Sequence, residues 1–417
     1  MKITVKPSEF NGEIWANPSK SIMQRAVVLS ALSSKEVYIS NPDFSADSLA
    51  SLGIAENMGA TIIKDDDFVI ITPGQKIKNT VWNVGESGLS ARMFAPVAGL
   101  FDDDITITGE GSILKRPMNS VVLALQQLGL QVEHKDYFLP LTIRGKISNN
   151  NLELDLSSGS QLLTGLLIAL SKSEKDSTIK VKNLKSKPYI DLTICAAKGF
   201  GAEIINNEYK YFSVKGNRHF ERKKFNIEGD WSGVAFHLVG AAISGKAVIT
   251  GINPVSKQAD RAILNVLKQA GANIKIKHNK VTVEKSRLQS FEFDATDCPD
   301  LFPPVAVLAA YCEGQSKIKG ISRLKYKESN RYKTLKEEFS KLGINIFSDA
   351  DYMIIKGKKP QGAKVFSHND HRIAMALATI GLKATGDIII DNAECVNKSY
   401  PDYFLDYEIL GGLVIKD

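Results

Sequence analysis

The sequence contains few cysteines, and their spacing excludes two classes of protein. Its 417 residues include four cysteines that lie far apart, Cys195, Cys298, Cys312 and Cys395. Structural zinc sites are typically marked by paired CxxC ligands, and disulfide scaffolds need many cysteines in a short chain. Neither pattern is present, so we expect reduced cysteines and no structural zinc.

Long apolar segments are also missing. The longest, LLTGLLIAL at 162–170, has about half of the ~20 residues that a membrane-spanning helix needs. The first twenty residues, MKITVKPSEFNGEIWANPSK, lack the apolar core of a secretory signal. Hydrophobic residues make up 43% and charged residues 24% of the chain, the balance of a globular protein. We therefore expect a cytoplasmic protein that binds no membrane.

No charge of one sign is concentrated in a block or tail. Lys and Arg number 53 against 46 Asp and Glu, a net charge of +7. This pattern disfavours a nucleic-acid partner and leaves a site for small anions open. Nucleotide motifs are missing as well, because GAAISGKA at 240–247 has Ala247 where a P-loop needs Ser or Thr. It also follows a predicted helix, the reverse of the P-loop order, and no GxGxxG follows a predicted strand.

An internal repeat organises the chain. A five-residue signature recurs six times, at intervals of 70, 72, 70, 72 and 68 residues. It consists of an apolar or small residue, glycine, two further residues and then Ile or Val. The glycines of this signature are Gly59, Gly129, Gly201, Gly271, Gly343 and Gly411. Each one ends a stretch with helical periodicity and precedes β-branched residues typical of a strand. The period is longer than the ~20–50 residues of solenoid repeats, so six units predict an α/β protein.

Each periodic stretch begins near an Asp or Asn that could cap a helix. These residues are Asp47, Asn119, Asp191, Asp260, Asn330 and Asp402. Three units in each of two lobes would give domains of ordinary size. We expect the chain to cross between lobes in the basic stretch at 215–230; the alternative is a charged surface loop within one lobe.

Basic, acidic and hydroxyl residues lie at predicted helix starts in almost every unit. The segments are NPSKSIMQR (17–25), VGESGLSARM (84–93), LKRP (114–117), SSGSQLLTG (157–165), SKPYID (186–191), DCPDLFPP (297–304), KYKESNRYK (325–333), NDHRIAMA (369–376) and NKSYPDYF (397–404). Free N–H groups, hydroxyls and cations together suit phosphate or carboxylate. Each segment by itself is equally well an ordinary helix cap. Together, at equivalent ends of repeated elements, they predict a cleft for strongly anionic ligands.

Ten motifs in order, nine of them within these segments, resemble the EPSP synthase (3-phosphoshikimate 1-carboxyvinyltransferase) family of enolpyruvyl transferases. They are NPSKSIMQR, GESGLSAR, LKRP, GSQLLTG, SKPYID, EGDWSG, CPD, KESNR, NDHR and KSYPDYF, between residues 17 and 404. The resemblance implies a two-lobed α/β fold of six βαβαββ repeats, three per lobe, an inside-out α/β barrel. It implies a lobe at 19–228 that mainly binds shikimate 3-phosphate. The other lobe, at 1–18 plus 229–417, would carry the proton-transfer acids and much of the phosphoenolpyruvate site, with the active site in the cleft between.

The resemblance also implies the reaction. The enolpyruvyl group of phosphoenolpyruvate passes to the 5-hydroxyl of shikimate 3-phosphate, and phosphate leaves, by addition and elimination through a tetrahedral intermediate. This is a step of the shikimate pathway to chorismate and the aromatic amino acids. No cofactor and no metal are implied, and we expect a monomer whose lobes close on their anionic substrates.

Residue roles follow by motif match. Phosphoenolpyruvate would contact Lys20, Gly88, Arg116, Arg331, Arg372 and Lys398. Shikimate 3-phosphate would contact Ser21, Arg25, Ser160, Gln161, Ser186, Tyr189, Asp300 and Lys327. Asp300 would exchange a proton with the 5-hydroxyl and Glu328 with C3 of phosphoenolpyruvate, and Lys20 could share this proton transfer.

The chain departs from the family pattern at several positions. Glu86 adds a negative charge near the expected anion site, and Gly159 stands where a serine that touches the shikimate phosphate is common. Arg323 stands where family members commonly have Asn, and Asn330 stands where they commonly have Asp. These positions are where we expect the site to differ from that of other members.

Two alternatives remain open. UDP-N-acetylglucosamine 1-carboxyvinyltransferase shares the fold and the chemistry, but it usually has a reactive cysteine just before the Arg-Pro pair matched here by Arg116 and Pro117. This chain has no cysteine before Cys195. The other alternative is a non-catalytic anion-binding protein of the same fold, which would have no reason to retain Asp300 and Glu328.

Overall fold

The computed structural model describes residues 1–416, which form two compact units. The central unit is Pro18–Ile227, and the terminal unit combines Met1–Asn17 with the chain from Glu228 onward. No helix among the described residues is both long enough and apolar enough to cross a membrane.

Both units are built from short strands and helices, numbered here along the chain. The strands are β1 (Lys2–Lys6), β2 (Asn11–Trp15), β3 (Val37–Ser40), β4 (Thr61–Lys64), β5 (Phe68–Thr72), β6 (Val81–Asn83), β7 (Ile105–Thr108), β8 (Gln131–Lys135), β9 (Phe138–Arg144), β10 (Asn151–Asp155), β11 (Ser177–Lys182), β12 (Ile204–Asn207), β13 (Tyr211–Val214), β14 (Lys224–Asn226), β15 (Lys246–Thr250), β16 (Asn273–Lys277), β17 (Lys280–Glu284), β18 (Glu292–Asp294), β19 (Gln315–Lys319), β20 (Ile346–Asp349), β21 (Tyr352–Lys356), β22 (Ala363–Phe366), β23 (Ile388–Asp391) and β24 (Leu413–Lys416). The α-helices are α1 (Lys20–Ala31), α2 (Ala46–Asn57), α3 (Gly88–Ala98), α4 (Asn119–Gln127), α5 (Gln161–Lys172), α6 (Lys187–Gly199), α7 (Trp231–Ser244), α8 (Ile263–Gln269), α9 (Phe302–Tyr311), α10 (Arg331–Lys341), α11 (His371–Gly381) and α12 (Tyr403–Ile409). Short 3-10 helices cover Gly111–Lys115, Ala259–Ala262, Pro299–Leu301, Ile321–Leu324 and Ala393–Lys398.

The strands of residues 1–416 form six four-stranded sheets with one shared pattern. The central unit has β14-β3-β5-β4, β6-β7-β9-β8 and β10-β11-β13-β12; the terminal unit has β2-β15-β17-β16, β18-β19-β21-β20 and β22-β23-β1-β24. In each sheet the first two strands are parallel and the remaining neighbours are antiparallel. The prediction of six βαβαββ repeats, three per lobe, is confirmed.

Strands from a distant part of the chain complete one sheet of the central unit and two of the terminal unit, where β2 pairs in parallel with β15, with Asn11 opposite Lys246. In the central unit β14 pairs in parallel with β3, with Lys224 opposite Tyr38. In the terminal unit β1 enters between β23 and β24, with Ile3 opposite Ile390 on one side and Val5 opposite Val414 on the other. Both strands satisfy backbone groups that would otherwise lie at an open sheet edge.

The six repeat glycines stop the second helix of each repeat, as predicted. All are left-handed, with φ of 108°, 86°, 105°, 82°, 77° and 102° at Gly59, Gly129, Gly201, Gly271, Gly343 and Gly411. A side chain in this conformation is strained by its own Cβ, so glycine is favoured where the chain leaves the helix for the next strand.

The predicted helix caps are mostly wrong, although the helices exist. Only Asn330 accepts a first-turn bond with its side chain, from the Lys333 N–H at 3.3 Å. The other five helices lack a side-chain cap bond, and three of the expected caps have tertiary partners instead. Asp47 pairs with Lys20, Asp191 accepts from the Tyr209 hydroxyl, and Asp260 accepts from the Ser232 hydroxyl.

The first helix of each repeat is buried on nearly every face, and this positions the polar motifs. In α7, α9 and α11 almost every residue is buried, and α1, α3 and α5 are similar. A buried helix middle cannot hold polar side chains that lack partners. The polar residues of the motifs are therefore found mainly at the starts of these helices. The residues at these starts include Ser19 and Lys20 for α1, Ser87 and Gly88 for α3, Ser160 and Gln161 for α5, Asp230 for α7, Asp300 before α9, and Asp370 for α11.

His237 on α7 gives a pH prediction for the terminal unit. Its ring is fully buried, stacks on Tyr403 and shares a hydrogen bond with the Tyr400 hydroxyl at 3.2 Å. Burial lowers the pKa of His237 to about 3. In the unfolded chain the histidine binds a proton near pH 6.5, whereas in the folded chain it stays neutral down to about pH 3. The stability that comes from keeping His237 neutral is therefore fully present above pH 6.5 and is lost as the pH falls toward 3.

Replacing His237 with Phe removes this proton linkage. We expect the free energy of unfolding of wild type to fall about 2 kcal/mol more than that of His237→Phe between pH 6.5 and pH 4.5. Urea denaturation at several pH values measures the difference, and His219→Phe, which alters an exposed histidine, is the control. Parallel curves for wild type and His237→Phe would contradict the prediction.

Candidate active site

Arg331 is the centre of a cluster of carboxylates in the terminal unit. It is the first residue of α10, and its side chain is 1% exposed. Its guanidinium donates from Nε to Asp370 at 2.8 Å, from Nη1 to Asp300 at 2.6 Å and from Nη2 to Glu328 at 2.5 Å. The fold thus brings together Arg331, Asp300 and Glu328, which the sequence predicted, and adds Asp370, which it did not.

Two further predicted cations border Asp300. Lys327 Nζ lies 3.1 Å from Asp300 Oδ1, and Arg372 Nη2 lies 3.5 Å from Oδ2. Burial by itself raises the pKa of Asp300, but the charges of Arg372, Lys327 and Arg331 together hold it well below its usual value. Asp300 is therefore a carboxylate at neutral pH, able to accept a proton but not to donate one. The Arg331 cluster comprises six residues: Arg331, Asp300, Glu328, Asp370, Lys327 and Arg372.

Lys398 lies beside this cluster. It ends the 3-10 helix Ala393–Lys398, and its ammonium donates to the Asn369 carbonyl at 2.8 Å. Asn369 directly precedes Asp370 in the chain. The loop before α11 therefore connects Lys398 to the Arg331 cluster.

Asp260 is a second buried carboxylate in the same region that sequence analysis treated only as a helix cap. It is 1% exposed, and it accepts a hydrogen bond from the Ser232 hydroxyl. Burial, and next the negative charge of Asp300, raise the pKa of Asp260 to about 6. No local sequence signal distinguishes it from an ordinary cap, because the burial comes from α7 packing over it.

Two departures from the family pattern also lie here. Asn330 caps α10 with its side chain, a bond that an Asp would make equally well. Burial lowers the pKa of Arg323, while the charges of Asp297 and Asp300 raise it. Arg323 thus adds positive charge on the Asp300 side of the site.

In the central unit, Lys20 is the first residue of α1 and is paired. Its ammonium lies 2.8 Å from Asp47 Oδ2, and both side chains are mostly buried. The sequence predicted Lys20 as a functional residue but assigned Asp47 only to a helix start. The Asp47 carboxylate balances the charge of the Lys20 ammonium, and an anionic ligand at Lys20 would compete with it.

Arg25 lies one turn further into α1, behind the helix start. It is 2% exposed and donates to Thr193 Oγ1 at 2.9 Å, to the Ser21 carbonyl at 2.6 Å and to the Tyr189 carbonyl at 3.4 Å. Burial lowers the pKa of Arg25 to about 10, so it stays charged. Three residues predicted for one ligand, Ser21, Arg25 and Tyr189, are therefore neighbours.

Three more of the predicted residues begin α5 and α6. Ser160 precedes α5 and is buried, and Gln161 is the first residue of that helix. Ser186 precedes α6 with a φ of 58°, the left-handed region that a serine rarely occupies. Gly159 also has positive φ, 140°, so a serine at that position would be strained in this backbone.

Gly88 marks the point in the central unit where several polar side chains converge. It begins α3, and a Cβ there would lie 2.7 Å from Arg116 Nη1, 3.2 Å from Arg92 Nη1 and 3.5 Å from Gln161 Oε1. A helix N-terminus flanked by two guanidinium groups is a binding site for phosphate or carboxylate. Gly88, Arg116 and Gln161 were predicted; Arg92 stood in a predicted segment without a role.

The Glu86 carboxylate is bound by a backbone N–H. Its carboxylate accepts from the Ser112 N–H at 2.8 Å, and it lies against Gly111, where a Cβ would approach its Cδ to 2.5 Å. Glu86 thus binds the N-terminus of the 3-10 helix Gly111–Lys115, which leads directly into Arg116. Glu86, one of the residues that depart from the family pattern, therefore holds the segment that carries Arg116.

Removing this support is expected to weaken phosphate or carboxylate binding at Arg116. We expect Glu86→Ala to raise the KM of the anionic substrate held there by about tenfold, with a smaller change in kcat, because a displaced cation loses binding geometry. Glu86→Gln keeps an acceptor for the Ser112 N–H and should stay within about threefold of wild type. Steady-state kinetics measure both, with the exposed Glu110 changed to Ala as control. Equal KM values for Glu86→Ala and wild type would contradict the assignment.

A group of potential metal ligands occurs once among residues 1–416. Ligand atoms of Glu337, Glu338 and His368 lie within 4.8 Å of one another. The Lys341 ammonium, however, lies 2.8 and 2.9 Å from the two Glu338 oxygens. A protein cation therefore already balances the buried carboxylate.

Comparisons with known proteins agree with one another. The sequence profile of EPSP synthase (3-phosphoshikimate 1-carboxyvinyltransferase) matches residues 4–406. The 3-phosphoshikimate 1-carboxyvinyltransferase of Clostridium novyi is 37% identical over 99% of this chain and 98% of its own, and that of Clostridioides difficile is 36% identical over the same shares. The structure of EPSP synthase from Acinetobacter baumannii superposes with a TM-score of 0.83 and 25% identity over the whole of both chains. The enolpyruvyl transferase NikO from Streptomyces tendae shares the fold, with a TM-score of 0.80 and 17% identity over 99% of this chain and 98% of its own.

Proposed function

The chain belongs to the EPSP synthase family, the 3-phosphoshikimate 1-carboxyvinyltransferases, and on that premise we propose which of its residues hold the substrates and move the protons. It transfers the enolpyruvyl group of phosphoenolpyruvate to the 5-hydroxyl of shikimate 3-phosphate and releases phosphate. The names of its relatives do not favour the UDP-N-acetylglucosamine alternative or a non-catalytic binder.

The charges of the substrates support the proposed binding residues. Phosphoenolpyruvate and shikimate 3-phosphate together carry two phosphates and two carboxylates, which require many cations in a partly dehydrated site. We assign phosphoenolpyruvate to the helix start at Gly88 and to Lys20, Arg116, Arg331, Arg372 and Lys398. Shikimate 3-phosphate is assigned to Ser21, Arg25, Ser160, Gln161, Ser186, Tyr189, Asp300 and Lys327. The central unit would thus supply most contacts to shikimate 3-phosphate, and the terminal unit would supply the acids.

The contact of Asp300 with three cations, Lys327, Arg331 and Arg372, is the single observation that carries the proton assignment. The Asp300 carboxylate is held charged by three cations, so it can accept the proton of the 5-hydroxyl as that oxygen attacks C2 of phosphoenolpyruvate. Glu328 delivers a proton to C3 in the same addition. Elimination reverses the C3 proton transfer, and the C2–O bond to phosphate breaks with its electron pair leaving on phosphate. The phosphate takes up the proton that the 5-hydroxyl gave to Asp300, which restores the carboxylate. Lys20 would share this proton transfer.

Arg331 links these proton transfers to substrate binding. Its guanidinium donates to Glu328 at 2.5 Å, so the Glu328 carboxylate lies against a positive charge. A substrate carboxylate that binds Arg331 would compete with Glu328 for the guanidinium. Its negative charge would also favour protonated Glu328, the form needed to donate to C3.

Phosphate release from the purified chain tests this function. We expect release from phosphoenolpyruvate only when shikimate 3-phosphate is also present, with no release when UDP-N-acetylglucosamine replaces it. Release with UDP-N-acetylglucosamine, or no release with any acceptor, would overturn the assignment of substrate or of catalysis, respectively.

Cellular location, oligomeric state and nucleic-acid binding are proposed from the composition of the chain and the chemistry of its substrates. We propose a cytoplasmic enzyme, because phosphoenolpyruvate is an intracellular metabolite and the four cysteines are unpaired thiols, as a reducing compartment requires. We also propose a monomer that binds no nucleic acid, since the charge is not concentrated in a basic patch of the sequence. Sedimentation velocity across a range of protein concentrations tests the monomer, and a concentration-dependent shift to a larger species would contradict it.

A further inference from the structure

Glu338 is a fully buried carboxylate on α10 that touches none of the proposed substrate-binding residues. It accepts from the Phe366 N–H at 2.9 Å and lies 2.7 Å from His368 Nε2. Lys341 Nζ lies within 2.9 Å of both its oxygens. Burying a carboxylate is costly unless its partners are well placed, so this arrangement needs an explanation beyond folding.

Two partners of Glu338 lie where β22 leads into α11: Phe366 is the last residue of β22, and His368 lies in the loop that follows. Two consecutive non-glycine residues of this loop are left-handed, His368 with a φ of 54° and Asn369 with a φ of 55°. Such a conformation persists only where surrounding contacts fix it, and it is concentrated at functional sites. Glu338 supplies two of those contacts, at Phe366 and His368, and the Ser367 hydroxyl supplies another by donating to the Asn392 carbonyl at 2.8 Å.

The same loop fixes three cations assigned to phosphoenolpyruvate. Asp370 accepts from Arg331 at 2.8 Å, and the Asn369 carbonyl accepts from Lys398 at 2.8 Å. Arg372 follows in the first turn of α11 and lies 3.5 Å from Asp300. A shift of this loop would therefore displace acceptors or side chains of Arg331, Lys398 and Arg372 together.

We infer that Glu338 is a positioning residue for phosphoenolpyruvate binding, acting through His368 and the Phe366 N–H on the loop that sets these three cations. This inference rests on the proposed assignment of the cations to phosphoenolpyruvate. Glu338 lies two helical turns after Arg331 on the same helix. Helix α10 therefore carries the cation Arg331 at its start and, two turns later, the carboxylate that holds the loop on which Arg331, Lys398 and Arg372 depend.

Glu338→Gln and His368→Ala test the inference. Gln retains one oxygen but loses the charge that binds Lys341 and His368. We expect each variant to raise the KM for phosphoenolpyruvate about tenfold and to leave the KM for shikimate 3-phosphate within about twofold, since a displacement near 1 Å is enough for a loss of this size. The double variant should show no further rise than the larger single one, because both changes release the same loop.

Two matched controls belong to the same unit. Glu337→Gln changes the neighbouring residue of α10, which is exposed, and His278→Ala changes a histidine that is also left-handed, with a φ of 46°, in an exposed hairpin turn. Neither should change the KM for phosphoenolpyruvate. Glu338→Ala is avoided as the main variant because an apolar side chain would leave Lys341 and the Phe366 N–H without an acceptor.

The split between KM and kcat separates positioning from a purely structural role. Partial unfolding lowers the fraction of active enzyme and so the apparent kcat, but it leaves both KM values unchanged. A lowered kcat with an unaltered KM for phosphoenolpyruvate, in variants that fold by circular dichroism, would overturn the inference. If wild type itself releases no phosphate with both substrates, the proposed function fails instead. If added Mn²⁺ or Zn²⁺ restores the Glu338→Gln KM, the cluster is a metal site and the positioning role is refuted.

Discussion

Asp300→Asn is expected to lower kcat by a factor of about 10²–10⁴, the usual contribution of a general base. Asn keeps the size of the side chain and can still accept a hydrogen bond from Arg331, but it cannot take up the proton of the 5-hydroxyl. Removing the negative charge leaves Arg331, Lys327 and Arg372 with less compensation. We therefore expect the anionic substrates to bind at least as tightly as they bind wild type.

Rapid-quench turnover and calorimetric binding measure these two effects separately. Asp294→Asn is the control, because Asp294 is exposed and pairs with Lys319 on a neighbouring strand. Its kcat should equal that of wild type. A kcat of Asp300→Asn within about threefold of wild type would remove Asp300 from the proton path. A large loss of substrate affinity would assign it to binding instead.

Arg331→Met is expected to lower the free energy of unfolding at pH 7 by about 3–5 kcal/mol, the scale for removing one partner of a buried ion pair. Methionine fills most of the volume of the arginine stem, so the loss comes mainly from charge. Asp300, Glu328 and Asp370 would be left close together without the guanidinium that now bonds to all three. Enolpyruvyl transfer should be lost as well.

The loss in the free energy of unfolding caused by Arg331→Met should become smaller in acid. A loss caused by packing would not depend on pH in this way, so the pH dependence shows that the loss comes from charge. The wild-type guanidinium, with Arg372 and Lys327, holds the pKa of Asp300 low, so wild type keeps this stabilisation until the pH falls through that low value. In the variant the crowded carboxylates would bind protons more readily, and the difference from wild type should shrink as the pH falls from 7 to 5. Urea denaturation at both pH values measures it.

Arg287→Met provides the matched control for this experiment. Arg287 makes a two-bond pair with Glu313, at 2.9 and 2.7 Å, but its side chain is 84% exposed. Exposed pairs contribute about 0.2–1 kcal/mol. If Arg331→Met cost no more than Arg287→Met at pH 7, the Arg331 cluster would not be the electrostatic centre of the terminal unit.

The charged residues of the site could be predicted from the sequence, but the partners that they contact could not. Lys20 was predicted from its motif, but its partner Asp47 is 27 residues away. Arg331 was predicted too, but Asp370 is 39 residues away. Glu86, which suggested a disturbed anion site, instead binds the Ser112 N–H 26 residues further along. In each case the charged group was visible in the sequence and its partner was not.

The sequence by itself determined the repeat, the helix stops and the residue types of the site. These signals are local: a glycine in the left-handed region or an apolar period of 3.6 residues depends on neighbours within one or two turns. The tertiary structure alone decided which strands β14 and β1 pair with, that three of the six expected caps pair elsewhere, and that Asp300 is held ionised. The physical reason is that ion pairs, burial and sheet edges depend on which distant segments come into contact, and local pattern does not specify that.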